Sequence, residues 1–200
     1  MTRTPGDAQP PAASYSLAHF ENLYLAKDDP WDNATKWSDQ RKYAVTMASL
    51  PQQRYRNAYE PGCAVGILSR LLAARCDALL AVDAVQAAVS QAAGYVADLS
   101  HVRVGTAVLP ADLPDDTFDL IVIGDLLYYL SAEDLQATVD GLIARLEPGG
   151  DLAVVHFRDR DHGGNFDGFN AHAMLVDHAE LTPLVHHDDD WFLLDILRRS

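Results

Sequence analysis

An α/β fold built on a doubly wound, seven-stranded and mostly parallel sheet is predicted by three features of this chain. Apolar runs of strand length alternate with helix-length amphipathic segments between Tyr55 and Phe157, the rhythm of right-handed βαβ units. The first run leads into a small-residue turn, Ala58-Tyr59-Glu60-Pro61-Gly62-Cys63-Ala64-Val65-Gly66, and the second ends in an acid, Asp83. After residue 180 the pattern changes to two short apolar runs joined by His187-Asp188-Asp189-Asp190, which reads as a C-terminal antiparallel hairpin on the sheet edge.

The elements follow in order. Residues 1–14 are rich in Pro, Ala and polar residues and read as a disordered tail. A helix is expected from Tyr15 to Ala26, with Leu17, Phe20, Leu23 and Tyr24 at helical spacing. It stops at Lys27-Asp28-Asp29-Pro30, because the residue before a proline avoids the helical region. A second helix is expected from about Thr35 to Leu50, closed by Pro51. Its apolar positions Trp37, Tyr43, Val45, Met47 and Leu50 leave Arg41 and Lys42 on another face. These two helices precede the first strand, so residues 15–51 form an N-terminal helical cap on a core of residues 55–200, within one domain. The core is expected as strands at Tyr55–Glu60, Ala78–Val82, His101–Thr106, Thr117–Gly124 and Asp151–Phe157. Helices are expected at Gly66–Arg75 and Ala84–Ala97, and after Ser131, whose hydroxyl suits an N-cap with Asp134 three residues on. That last helix ends at Glu147-Pro148-Gly149-Gly150. Residues 158–168 read as a polar, glycine-rich loop, Phe169 to Asp177 as a short helix, and Leu181–His186 and Trp191–Leu197 as the hairpin strands.

Composition narrows the partners. Two hundred residues, 48% of them hydrophobic, suit one core. The formal charge of −14 repels nucleic acid and favours encounter with cationic small molecules. Two cysteines, Cys63 and Cys76, are too few for a disulfide framework. No charged-then-apolar leader opens the chain and no apolar run approaches membrane-spanning length, so a cytoplasmic protein with no membrane partner is expected.

The strand, turn, helix, strand and acid, in that order, suit a nucleoside ligand. Gly62 and Gly66 remove side chains where a ligand approaches the backbone. Asp83 is placed to accept hydrogen bonds from two ribose hydroxyls. Glu60 suits a cationic amino group better than a pyrophosphate, and the Gly-x-Gly-x-x-Gly of a dehydrogenase is absent. Both points turn the ligand from a nicotinamide dinucleotide toward S-adenosylmethionine. Trp31, Trp37, Arg41 and Tyr43 are candidates to close the site from the cap. Arg41 is suited to a carboxylate fork, with helix packing as the alternative for the aromatics. The carboxyl ends of parallel strands build active sites. This singles out His156 as a base or substrate contact, with Tyr128, Tyr129 and His172 beside it. Asp125 either binds a substrate ammonium or caps the following turn. The loop Asp159 to Asn170 echoes a calcium loop but lacks the acids at two required positions. The run His186 to Asp190 reads as a solvated turn. No metal site is expected.

These residues carry a resemblance. The chain resembles a class I S-adenosylmethionine-dependent methyltransferase, and more narrowly the nodulation protein S-like family. The marks are HFENLYLAKDDPWD, QRKYAVTMASLP, YEPGCAVGILSRLLAARCDALLAVD, FDLIVIGDLLYYL, EPGGDLAVVHFR and NAHAML. The resemblance implies a Rossmann-like fold and N-methylation of an amino group on a sugar-containing or otherwise polar small molecule, with S-adenosylhomocysteine as co-product. O-methylation and a catalytically weak cofactor-binding protein are the alternatives. It further implies that Glu60, Gly62 and Gly66, with the Cys63 and Ala64 backbone, line the methionine part. Asp83 and Ala84 then hold the ribose, Thr106 and Ala107 flank the adenine, Asp125 and Leu126 face the methyl group, and Trp37 and Arg41 close the carboxylate end. Two positions depart from the pattern: Ala64 replaces a turn glycine, and Ala107 stands where an acid usually receives the adenine amino group. A monomer or homodimer is expected.

Overall fold

The computed structural model describes residues 13–158 and 168–200. After the cap helices α1 (Leu17–Ala26) and α2 (Trp37–Ser49), the chain enters β1 (Tyr55–Pro61). It then runs through α3 (Ile67–Ala73), β2 (Cys76–Asp83), α4 (Gln86–Tyr95), β3 (Val102–Thr106) and β4 (Phe118–Gly124). A 3-10 turn at Leu127–Tyr129 leads to α5 (Ala132–Arg145) and β5 (Leu146–Phe157). The end of the chain forms α6 (Gly168–Val176), β6 (Leu181–Asp188) and β7 (Phe192–Arg199). The seven strands lie in the order β3-β2-β1-β4-β5-β7-β6. β1 to β5 are parallel, and β7 runs antiparallel to both β5 and β6.

Strand alternation sorts the core into two layers. On β5, Leu152 and Val154 pack with α5 and α6, while Ala153, Val155 and Phe157 pack with α2 and α3. Helices therefore cover both faces, and the central strands are apolar on both sides. β5 starts earlier than expected. Phe118 pairs with Leu146 but Leu120 pairs with Asp151, so the Pro148-Gly149-Gly150 turn is carried inside the strand as a bulge, with Gly149 at φ +78°.

The hairpin forms at the sheet edge, and Asp189 builds its turn by accepting from the Trp191 and Phe192 N–H groups at 2.8 and 3.2 Å. Ser131 caps α5 as expected, accepting from the Asp134 N–H at 3.2 Å. Ser14, expected within the tail, is instead docked at this cap, where its hydroxyl accepts from the Ser131 N–H at 2.8 Å and donates to Asp134. Residues 1–12 of that tail, and residues 159–167 of the polar loop with its calcium-like pattern, lie outside the described residues.

Candidate active site

Chain order reverses on either side of β1: β2 follows it outward, while β4 lies on its other flank. The loops leaving β1 and β4 therefore part at their carboxyl ends, and a crevice opens between them. It has two connected hollows that share Gly62, Asp125 and Tyr129. The larger runs along Asp83, Ala84 and Leu126 to Ala107, Val108 and Leu109 under α1. The smaller is lined by Glu60, Cys63 and Ala64, by Phe157, and by Trp31 and Asp39 of the cap.

The turn after β1 is shaped by three left-handed residues. Gly62 has φ +76°, and a Cβ there would sit 3.4 Å from Leu126. The Gly62 and Cys63 N–H groups both donate to Val82 O, at 2.8 and 2.9 Å, which folds the turn over the end of β2. Ala64 sits at φ +48°, a left-handed conformation that is strained for a residue with a Cβ. Gly66 has φ +84°, but a Cβ there would meet Ala92 of α4 at 3.0 Å. Gly66 therefore does not line the crevice; its small size lets α3 and α4 pack.

Two acids line this turn in different states. Glu60 is 2% exposed, and its Oε2 has no hydrogen-bond partner. Burial pushes its carboxyl up to about 8. Asp83 accepts from the Val85 N–H on one oxygen and from the Ala64 N–H on the other, both at 3.0 Å. Burial raises its carboxyl against the opposing effect of these amides. Each oxygen keeps a further lone pair for a ligand.

A third acid is tied to the cap. Asp125, at φ +49°, accepts from the Phe157 N–H at 2.9 Å and pairs with the fully buried ammonium of Lys42. The same ammonium lies 3.1 Å from Asp39 and 3.8 Å from the centre of the Phe157 ring. Burial alone would raise the Asp125 carboxyl; Lys42, with the Phe157 amide, brings it below the usual range. One lysine thus joins α2 to the loop after β4. The sequence reading put Lys42 on the polar face of its helix. The available sign was Asp39 one turn earlier, an i, i+3 partner.

Several expected site residues lie elsewhere. Trp37 is 63% exposed and meets Trp191 edge-on at 6.4 Å. Arg41 pairs with Asp189 at 2.6 Å and lies over the Phe192 ring. Neither lines the crevice, because the first turn of α2 and the face bearing Arg41 point toward the hairpin. Trp31 and Tyr43, the other cap candidates, do line it. Thr106 donates to Gln86 at 2.9 Å on the exposed surface, away from the hollow that Ala107 lines.

The two histidines are also displaced. His156 is fully buried. Its Nε2 accepts from the Leu127 N–H at 3.1 Å, so the neutral ring carries its proton on Nδ1 and donates to His172 Nε2 at 3.0 Å. His172 in turn donates from Nδ1 to Asp195 at 2.5 Å, and Asp195 meets the exposed His186 at 2.8 Å. Burial and the neighbouring His172 push the His156 imidazole down to about 3. Strand alternation explains the displacement: Phe157 faces the crevice, so His156 faces α6. Among the described residues no histidine lines the crevice. Tyr128 does line it, buried, with burial and Asp125 holding its phenol well above the usual range.

A family model, Nodulation protein S (NodS), matches residues 18–175. The chain belongs to this family. The nodulation protein S of Rhizobium tropici is 31% identical over 140 residues, which cover 69% of this chain and 59% of that protein. The chain therefore spans about three fifths of that relative's length. A crystal structure from Pseudomonas syringae, provisionally described as a methyltransferase, is 41% identical with a TM-score of 0.73, covering 82% of this chain and all of that one. The N-methyltransferase NodS from Bradyrhizobium japonicum WM9, in complex with S-adenosyl-L-homocysteine, superposes with a TM-score of 0.82 at 24% identity, over 92% of this chain and 99% of that one. This last likeness shows the shared fold.

Proposed function

We propose that this protein is an S-adenosylmethionine-dependent methyltransferase that methylates an amino group on a small polar acceptor. The observation that carries the reading is the unpartnered Glu60 Oε2, buried in the crevice beside a turn whose Gly62 holds the left-handed φ of +76° that disfavours a side chain. A buried carboxylate oxygen without a donor is destabilising, and an ammonium group is the partner that relieves it. In this reading Glu60 binds the amino group of the methionyl tail, and the Gly62 and Cys63 backbone runs alongside. Asp83 takes the ribose hydroxyls on its remaining lone pairs. Ala84 and Leu126 flank the nucleoside. Ala107, Val108 and Leu109 wall the adenine without an acid, so its amino group is met by backbone or water.

When bound, the cofactor supplies a methyl group made electrophilic by its sulfonium. The chain's own work is to position the acceptor and exclude water, which contributes up to roughly 7–11 kcal/mol in favourable cases. An amine reacts through its lone pair, so an acceptor that arrives as an ammonium first gives a proton to solvent water. Asp125, kept ionised by Lys42, suits the amine and orients it. Tyr128 and Phe157 form the neighbouring wall. His156 and His172 have no part in proton removal here, since every ring nitrogen of that pair is engaged. The reading includes a cytoplasmic setting, a monomer or homodimer and no nucleic-acid partner. The acidic net charge of −14 supports the last point; among the described residues no helix is long and apolar enough to cross a membrane.

The test is incubation with methyl-labelled cofactor and a panel of amino sugars, other amines and matched hydroxyl compounds. Mass spectrometry and NMR then locate the label. Label on nitrogen, with equimolar S-adenosylhomocysteine, is expected. Label on oxygen would replace the acceptor class, and binding of S-adenosylhomocysteine with no transfer to any acceptor would overturn the catalytic reading.

A further inference from the structure

We infer that the hydroxyl of Tyr24, on cap helix α1, is a cofactor contact that donates a hydrogen bond to a ribose oxygen. The inference rests on the cofactor reading above and adds to it a residue from outside the nucleotide-binding core. Tyr24 is 6% exposed, packs with Val65, Val85 and Ala88, and meets the Trp31 ring edge-on at 5.7 Å. Its side chain lines the larger hollow together with Asp83 and Val85. Its Oη is buried and has no hydrogen-bond partner.

A phenol hydroxyl buried without a partner is costly, and phenylalanine would fill the same space without that cost. The adjacent acid does not use it: Asp83 accepts from the Ala64 and Val85 amides and makes no hydrogen bond with the Tyr24 phenol. An unpartnered hydroxyl is not by itself a binding group. Tyr59 has one too, but its ring stacks on Phe118 in the core, and it does not line the crevice. Tyr24 differs in that it lines the same hollow as Asp83, close enough for the charge of that acid to act on its phenol. A ribose hydroxyl lying between Asp83 and Tyr24 would give its proton to the carboxylate and accept from the phenol, which satisfies all three groups. Cap helix α1 is then fastened to the core by the ligand itself.

The variant Tyr24→Phe removes the oxygen alone. Calorimetric titration with S-adenosylhomocysteine should show about tenfold weaker binding, the scale of one hydrogen bond. 5′-Methylthioadenosine, which keeps the sugar and lacks the amino-acid tail, should lose affinity by the same factor. The ligand-free variant should melt at the same temperature as the parent or higher. Equal affinity in parent and variant would overturn the contact, and a loss confined to the full ligand would overturn its assignment to ribose. A lower melting temperature of the ligand-free variant would show the hydroxyl already partnered within the protein, with the same consequence. Failure of the parent to bind S-adenosylhomocysteine at all would instead overturn the cofactor reading.

Discussion

The crevice and the histidine column are both built from buried polar side chains, and they are built in opposite ways. In the column every atom is matched: the Leu127 amide, His156, His172, Asp195 and His186 form an unbroken chain of hydrogen bonds. In the crevice, Glu60 Oε2 and Tyr24 Oη are buried and unmatched. A satisfied network holds elements in place and has no capacity left for a ligand. Unsatisfied groups raise the energy of the empty protein and release it when a complementary molecule arrives. The column ties α6 and β7 to the turn after β4, whereas Glu60 and Tyr24 bring unmet groups to the lining of the crevice; an unmet group that lines a hollow, and not an unmet group alone, separates site from scaffold.

The largest expected effect breaks the column. His172→Leu keeps the volume but leaves the His156 Nδ1–H without an acceptor and Asp195 without one of its donors. A loss of about 2–3 kcal/mol in unfolding free energy is expected, read from urea denaturation, with S-adenosylhomocysteine affinity within about twofold of the parent. A variant of parental stability that had lost turnover would put the column in the chemistry and collapse the contrast.

Glu60→Gln probes the other side. It should weaken S-adenosylhomocysteine binding by about 1.5–2 kcal/mol, the scale of a hydrogen bond to a charged group. The pH dependence of the ligand-free protein gives a second reading. Burial raises the Glu60 carboxyl from 4.5 to about 8, so between those values the folded chain holds a proton that the unfolded chain has released. The stability from this group is full below 4.5 and is lost as pH rises through about 8. The urea midpoint should therefore fall between pH 5.5 and pH 9 in the parent, and fall less in the glutamine variant. Parallel slopes in the two proteins would show that Glu60 is paired after all.

Where local chemistry decides a feature, the sequence could be read. The parallel sheet, the turn at 60–66 and the placing of Glu60, Gly62 and Asp83 on one crevice follow from apolar periodicity and from what a glycine-bearing turn permits. What depends on the meeting of distant elements could not. Lys42 reads as one more cation on an amphipathic helix until Asp125, far along the chain, is brought against it. Tyr24 reads as core because its ring is core; only its oxygen is not. His156 was misplaced by one residue's worth of alternation: the rule that sites gather at strand ends identifies the level, while the two-residue period decides which face. Trp37 and Arg41 were aimed at the crevice because nothing in the sequence shows that the hairpin at Asp189 and Trp191 folds back to meet α2.

The smallest expected effect lies in the turn itself, where a sequence departure meets a left-handed backbone conformation. Ala64 has φ +48°, which disfavours a residue with a Cβ by roughly 1–2 kcal/mol. Ala64→Gly relieves that strain but gives the unfolded chain more freedom, which offsets about 0.4–1 kcal/mol. A net gain of about 0.5–1 kcal/mol follows, or a rise of a few degrees in melting temperature for a chain of this size. Because the Ala64 N–H already donates to Asp83 at 3.0 Å, glycine has no hydrogen bond to restore there. Binding of S-adenosylhomocysteine should then stay within about twofold of the parent. Much tighter binding by the glycine variant would mean that the alanine methyl intrudes on the ligand. The turn would then belong with the groups that limit the site, and not with those that merely shape it.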